Sequence, residues 1–379
     1  MATDRGPGAH SGTSSDPRVD ALEVAVYRLP TDRPEADGTL SWDATTAVVV
    51  HASGGGSTGV GWTYADASVA AVVRSLLTDV VVGCPVLDPP AAAFDMARAV
   101  RNAGAPGLVA MAISAVDVAL WDLKARLLDV PLTGLLGAVR RDSAVYASGG
   151  FTTYDDAATR DELDGWLARG HDQAKIKIGE SWGTAVPRDL ARTRLAREVL
   201  GDDAALLVDA NGGYTAKQAV RVGRELDDLG VVWFEEPVSS DDLAGLRLVR
   251  ESLDCDVAAG EYGARLPDFA AMCGAGAVDC LQVDASRCGG VTEWLRACAV
   301  AAGHQLEVSS HCVPTLHAHL GPATPNLRHL EWFHDHERFE RRLFDGVVEP
   351  VHGRVRPPGE APGLGLTVRT EDVEDLRIG

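Results

Sequence analysis

From Pro131 onward the chain repeats one texture, a short apolar run followed by an amphipathic stretch of helix length. The apolar runs are Ala144–Ser148, Ala174–Ile178, Leu206–Asp209, Val231–Glu235, Asp256–Gly260, Cys280–Asp284, Leu306–Ser309 and His329–Glu331. The stretches between them include Leu190–Leu200, Ala216–Leu229, Asp241–Ser252, Leu266–Cys273 and Val291–Ala302. Crossovers of that length join parallel strands. Eight such strands fit a closed (β/α) barrel better than an open doubly wound sheet, because no glycine-rich phosphate turn follows the first of them. In a barrel of this kind the chemistry sits at the carboxyl ends of the strands.

The residues before the repeat are patterned differently. β-like runs at Ala21–Tyr27 and Thr45–His51 flank a polar loop, Pro30–Asp43, and helical patterns follow at Ser68–Thr78, Ala91–Arg101 and Val109–Leu127. In the last of these Val109, Ile113, Val116, Leu120 and Leu123 recur at three- and four-residue steps, the period of one buried helix face. A small α+β domain is predicted here, with the Pro- and Gly-rich end of the chain, 349–379, packing back on it. The first 17 residues, rich in Gly, Ser, Ala and Asp, read as a disordered tail without the basic-then-apolar order of a secretory leader.

The second strand of the repeat ends in Lys175-Ile176-Lys177. Residues two apart share a strand face, so with Ile176 outward both lysines enter the barrel mouth. Each ammonium is expected to depress the other's pKa toward that of a general base. The next three strands end in Asp209, Glu235 and Glu261, separated by two steps of 26 positions. Capping of the following helix explains a single strand-end acid. Three in register would repel one another without a cation, and three hard oxygen ligands suit Mg²⁺. Glu236 falls on the other side of an extended chain from Glu235. The sixth strand ends at Asp284 and the seventh leads into His311; from adjacent strands the carboxylate can orient the imidazole, fix its tautomer and raise its pKa. Glu331 ends the eighth, where in a protonated or hydrogen-bonded form it could act as an electrophile toward a developing enolate.

Composition narrows the partners. Against 35 Lys and Arg stand 55 Asp and Glu, a formal charge of −20, and that field repels nucleic acid and anionic membrane surfaces. No apolar run is long enough to cross a bilayer. The seven cysteines are scattered and never spaced C-x-x-C, which fits a reducing cytoplasm rather than disulfides or a Cys-based zinc site. The H-x-H pairs His317/His319 and His334/His336 lack a third ligand of zinc spacing, and residues two apart do not share a helix face. There is no G-x-S-x-G elbow, Walker loop or Rossmann fingerprint.

Lys-x-Lys, Asp, Glu, Glu, Asp, His and Glu on successive strand ends, together with the helix Ala112–Lys124 and the segment Cys288-Gly289-Gly290-Val291-Thr292, resemble the enolase superfamily, mandelate racemase subgroup, over nearly the whole chain from Val19. That superfamily pairs Lys or His bases with Mg²⁺. The resemblance implies an α/β fold, a modified TIM barrel of (β/α)7β type with an α+β N-terminal capping domain completed by the C-terminal segment. The expected division is a tail 1–17, a capping domain 18–135, a catalytic barrel 136–348 and a segment 349–379 on the capping domain. It further implies Mg²⁺ on Asp209, Glu235 and Glu261, Lys177 as one acid/base, and His311 with Asp284 as the other. Lys175, Glu331 and Asn211 would contact the substrate. Arg287 stands where many members carry Lys. Loops Pro30–Asp43 and Gly54–Gly61 would close over the barrel.

The expected reaction is Mg²⁺-dependent abstraction of the α-proton of a small carboxylic acid through an enediolate. Dehydration of a sugar acid to a 2-keto-3-deoxy acid is favoured because Asp32, Arg33, Glu35, Asp37 and Ser41 make the capping loop polar. Racemisation or epimerisation of a 2-hydroxy acid would use the same residues. The remaining alternative is a non-catalytic, metal-dependent binding barrel, against which the presence of Lys177, His311 and Asp284 counts. The protein is expected to be a cytoplasmic homo-oligomer with no nucleic-acid or membrane partner.

Overall fold

The computed structural model describes residues 16–379, so the expected tail lies almost wholly outside the described residues. Strands β1 (Val19–Ala36), β2 (Ser41–Gly54) and β3 (Ser57–Tyr64) form an antiparallel sheet. Helix Leu108–Leu127 packs on β3. Gly59 and Gly61 permit the approach, because a Cβ at either would overlap the helix backbone at Ala119 or Ala115.

Two expected loops are therefore corrected. Gly54–Gly61 does not close over the barrel; it is the β2–β3 turn and the start of β3, whose glycines hide a strand pattern. Pro30–Asp43 is mostly hairpin. β1 and β2 remain in the hairpin through Ala36↔Ser41, with a bulge between Pro30 and Glu35, leaving Asp37–Leu40 as the tip. Pro30 and Pro34 are tolerated because β1 is an edge strand whose outer side meets the chain's last residues near Val26 and Tyr27, away from both prolines. The helical segment after β3 runs Ser68–Val72 and Thr78–Val81 with a π-helical turn, Val73–Leu77, between.

All eight expected barrel strands form: β4 (Ser143–Gly149), β5 (Gln173–Lys177), β6 (Ala205–Asp209), β7 (Val231–Glu235), β8 (Asp256–Ala259), β9 (Cys280–Val283), β10 (Glu307–Ser310) and β11 (Leu327–Phe333). They pair in chain order, and β11 closes in parallel on β4. Outward side chains such as Ile176, Val208 and Phe234 join the main core. Inward ones, Tyr146, Leu207, Trp233, Ala258 and Cys280, fill the barrel below the mouth.

The helix and the glycine segment that carry the family resemblance meet each other. Asp117, on helix Leu108–Leu127, accepts from Thr292 N (3.0 Å) and Oγ1 (2.6 Å), and Ser114 Oγ accepts from Gly289 N (2.8 Å). Together they cap helix Gly290–Gly303. Gly290, at φ +86°, has no room for a Cβ against Asp117. Asp117→Ala strips a buried cap and should cost about 1–3 kcal/mol in urea unfolding; a change below about 0.5 kcal/mol would show that docking does not depend on it.

The last segment straps barrel to sheet. Arg354–Val355 pairs antiparallel with β4, and Leu364 N donates to Asp122 Oδ1 (2.6 Å) on the packing helix. Ile378 N donates to Val26 O and Val26 N to Gly379 O, both 2.8 Å. All seven cysteines are free. Among the described residues no helix is long and apolar enough to cross a membrane.

Candidate active site

The strand ends bring Lys175, Lys177, Asp209, Glu235, Glu261, Asp284, His311 and Glu331 to one end of the barrel, all buried. Register sets Lys177 beside Asp209 and Asp209 beside Glu235.

Ligand atoms of Asp209, Glu235 and Glu261 lie within 4.8 Å of one another, and Glu261 Oε2 is buried without a hydrogen-bond partner among the described residues. The acids gathered here, Glu236, Glu331 and Asp284 included, outnumber Lys175, Lys177 and Arg287. The imbalance shows in Glu235, which burial, only partly offset by Lys175, pushes up to about 8. Burial and the charges of Glu261 and Asp209 hold Glu236 well above its usual range. A buried, acid-rich, all-oxygen triad with an unused lone pair fits a hard divalent cation such as Mg²⁺.

The lysines depart from expectation. Lys175 Nζ lies 2.6 Å from Glu235, 2.7 Å from Glu331 and 3.7 Å from Asp209, and Lys177 Nζ pairs with Asp209. Burial alone would lower both, but the carboxylates outweigh it and hold both above the ordinary lysine value. Lys175 does lower Lys177, but the contact with Asp209 and the charges of Glu235 and Glu331 outweigh it.

His311 Nδ1 bonds Asp284 Oδ2 at 2.8 Å, and its Nε2 is 3.3 Å from Glu261 Oε2. Burial opposes the imidazolium, yet Glu261 and the Asp284 bond raise its pKa. Asp284 is in turn held well below the usual carboxylate range, where the His311 bond overcomes its burial. Glu331 accepts from Ser148 Oγ (2.6 Å), Cys312 N (2.6 Å) and Lys175. Despite burial, Lys175 and His311 keep it well below the usual value, so the hydrogen-bonded form is realised and the protonated one is not.

Arg287 reaches both arms, with NH1 3.2 Å from Glu261 and Nε 3.6 Å from Asp284. Asn211, at φ +46°, donates its N–H to Asp209 Oδ1 (2.8 Å), and its own Oδ1 is buried without a partner among the described residues. Glu236 corrects the extended-chain reading, since φ +39° turns it onto the wall of the adjoining cavity. Among the described residues neither H-x-H pair brings both its histidines to one site: His334 comes within 4.8 Å of ligand atoms of Glu35 and Asp335, a grouping able to hold a metal ion, and His336 does not join it. His317 accepts from Ala285 N and pairs with Cys312 O, and His336 accepts from Val313 N and stacks on Tyr64.

A cavity of about 530 Å³ opens beside the triad. The hairpin tip, Thr39 and Leu40, and the start of helix Leu108–Leu127 roof it, and strand-end loops supply Trp182, Asn211, Glu236, Tyr262 and Arg287. Sequence reading missed Trp182 and Tyr262, which are exposed loop aromatics with no periodic signal. It also misplaced the loop polar groups, none of which lines this cavity. Asp37 accepts from Thr39 N and Leu40 N, Asp32 faces Arg338, Arg33 lies over Tyr154, and Glu35 is buried.

Residues 158–373 match the family description "Enolase C-terminal domain-like", and residues 22–137 match "Mandelate racemase / muconate lactonizing enzyme, N-terminal domain". An L-talarate/galactarate dehydratase of Salmonella typhimurium is 32% identical over 70% of this chain and 65% of its own length. A 3,6-anhydro-alpha-L-galactonate cycloisomerase of Streptomyces coelicolor is 30% identical over 95% of this chain and 100% of its own. Other relatives carry the names D-gluconate, arabinonate and L-rhamnonate dehydratase. Among solved structures, a mandelate racemase/muconate lactonizing enzyme-like protein from Rubrobacter xylanophilus superposes with TM-score 0.92 at 46% identity, over 95% of this chain and 100% of that one. An L-talarate dehydratase from Polaromonas, complexed with Mg and L-glucarate, does so with TM-score 0.86 at 28% identity, over 96% and 98%.

Proposed function

The chain belongs to the mandelate racemase and muconate lactonizing enzyme branch of the enolase superfamily, and we propose that this protein dehydrates a sugar acid to a 2-keto-3-deoxy acid at the site described above. The observation that carries the reading is the carboxylate triad flanked from different sides of the barrel mouth by Lys177 on β5 and by the Asp284–His311 pair after β9 and β10. Named dehydratase relatives favour the sugar acid over a 2-hydroxy acid. The loop charges no longer do.

Asp209, Glu235 and Glu261 are the residues to hold Mg²⁺, which when bound supplies fixed positive charge opposite an enediolate. Lys177 takes the α-proton once its own is released; Asp209 now holds that ammonium protonated, and with its carboxylate offset by a cation would free the lone pair. His311, fixed by Asp284 at Nδ1 and raised in pKa, carries at Nε2 the proton that a departing β-hydroxyl needs. Lys175 holds Glu235 and Glu331 together and places its charge behind the substrate carboxylate. Asn211 and Arg287 offer donors at the cavity wall.

The test is a library of hexarates, hexonates and pentonates incubated with protein and Mg²⁺. A 2-keto-3-deoxy product, lost with EDTA, is expected. Interconversion of stereoisomers without water loss would instead support epimerisation, and no change in any acid would contradict both.

A further inference from the structure

Beside the hairpin tip over the cavity stand two acids that the proposed chemistry does not use. Glu35, at the end of β1, is fully buried, and Asp335, at the start of helix His334–Leu343, is 2% exposed. Glu35 pairs in register with Trp42 across the hairpin. The Trp42 indole N–H lies between the two acids, with Nε1 3.0 Å from Glu35 Oε2 and 2.8 Å from Asp335 Oδ2. The remaining oxygens, Glu35 Oε1 and Asp335 Oδ1, are buried and have no hydrogen-bond partner among the described residues.

Two ionised carboxylates around one indole donor would repel in a dry setting. One proton between them removes half the charge and supplies the missing donor. The surrounding charges do not take its place. His334 and Arg338 share Asp335's helix: a His334 ring nitrogen lies within 4.8 Å of an oxygen of each acid and 4.0 Å from Glu162 on helix Asp156–Ala168, but burial lowers its pKa, and Arg338, paired with Asp32 at 3.4 Å, offsets only part of what raises Glu35. Arg33 lies over Tyr154. Burial, with Asp335 adding to it, pushes Glu35 up to about 9.

The pair stands next to the tip. Thr152 donates from N to Ala36 O (2.8 Å) and from Oγ1 to Asp37 O (2.7 Å). Gly38 packs so closely on the carbonyls of Ile178, Gly179 and Ala210 that a Cβ there would fall 2.6 Å from the first. Thr39 and Leu40 then face the cavity.

We infer that Glu35 and Asp335 share one proton and thereby clasp the hairpin to the barrel, acting as positioning residues that set Thr39 and Leu40 over the substrate. The effect on turnover rests on the function proposed above; the shared proton does not.

With the acid found by screening, wild-type KM should rise about tenfold as the pH goes from 8 to 10, because the clasped fraction falls about tenfold, while kcat changes less. Glu35→Gln, whose amide N–H always donates to Asp335, should keep a low KM at both pH values. Glu35→Ala should have a raised KM throughout. Urea unfolding reads the proton without substrate. Glu35 binds it more tightly folded than unfolded, so the stability it contributes is complete below the ordinary value of 4.5 and is lost as the pH rises to about 9. Wild type should therefore lose stability across that window relative to Glu35→Gln. Equal slopes in the two proteins would overturn the shared proton, as would a divalent ion bound by wild type and absent from Asp335→Asn. Different slopes with identical KM profiles would overturn the positioning role. If no acid is turned over, the functional reading fails on its own and the unfolding slopes still decide the proton.

Discussion

Replacing Glu235 by Gln is expected to lower turnover by about 10³-fold or more, the scale of a lost charge contribution of several kcal/mol at the reacting centre. Glu235 is the middle acid of the triad, and it also anchors Lys175 at 2.6 Å and accepts from Trp233 Nε1 at 3.0 Å. The amide keeps the size and one oxygen, so the fold should persist. Calorimetric titration should show weakened Mg²⁺ binding alongside the lost activity. Unaltered Mg²⁺ affinity with normal turnover would remove Glu235 from the site.

The second large effect separates the two arms. In a dehydratase where Lys177 takes the α-proton, Lys177→Ala should abolish both exchange of that proton with solvent and loss of water. His311→Asn should suppress water loss by about 10² to 10⁴, the usual worth of a general acid, while exchange driven by Lys177 persists. The raised His311 pKa sets the sign of the pH dependence. Water loss should decline as the pH rises past that pKa and the imidazole loses the proton it must give. Exchange should not decline with it. Exchange lost in His311→Asn and kept in Lys177→Ala would make His311 the base and require a substrate of opposite α-configuration.

The barrel was legible because a buried parallel strand is a short apolar run, here repeated eight times, and the crossover helix between two of them is amphipathic. The site was legible for a related reason, since in a closed parallel barrel one polar residue per strand end must converge with the others. What escaped depends on contacts that sequence spacing does not carry. The β3 strand is disguised by Gly59 and Gly61, which exist for the helix that packs on them. Glu236 was misplaced by assuming an extended backbone where φ is +39°. The lysines were read against each other, when the nearer charge on Lys177 is Asp209 on the next strand. The hairpin's acids looked like substrate contacts because nothing local reveals that Asp37 stabilises its own turn and that Glu35 meets Asp335, 300 positions away in the chain.

The measurement that bears most directly on the central claim is proton NMR of a turned-over sugar acid in D₂O with the wild-type protein and Mg²⁺. The account predicts loss of the α-proton signal together with a 2-keto-3-deoxy product, both stopped by EDTA and restored by added Mg²⁺. An acid that binds at this site yet keeps its α-proton through long incubation with Mg²⁺ would contradict it and leave a barrel that holds its ligand without chemistry.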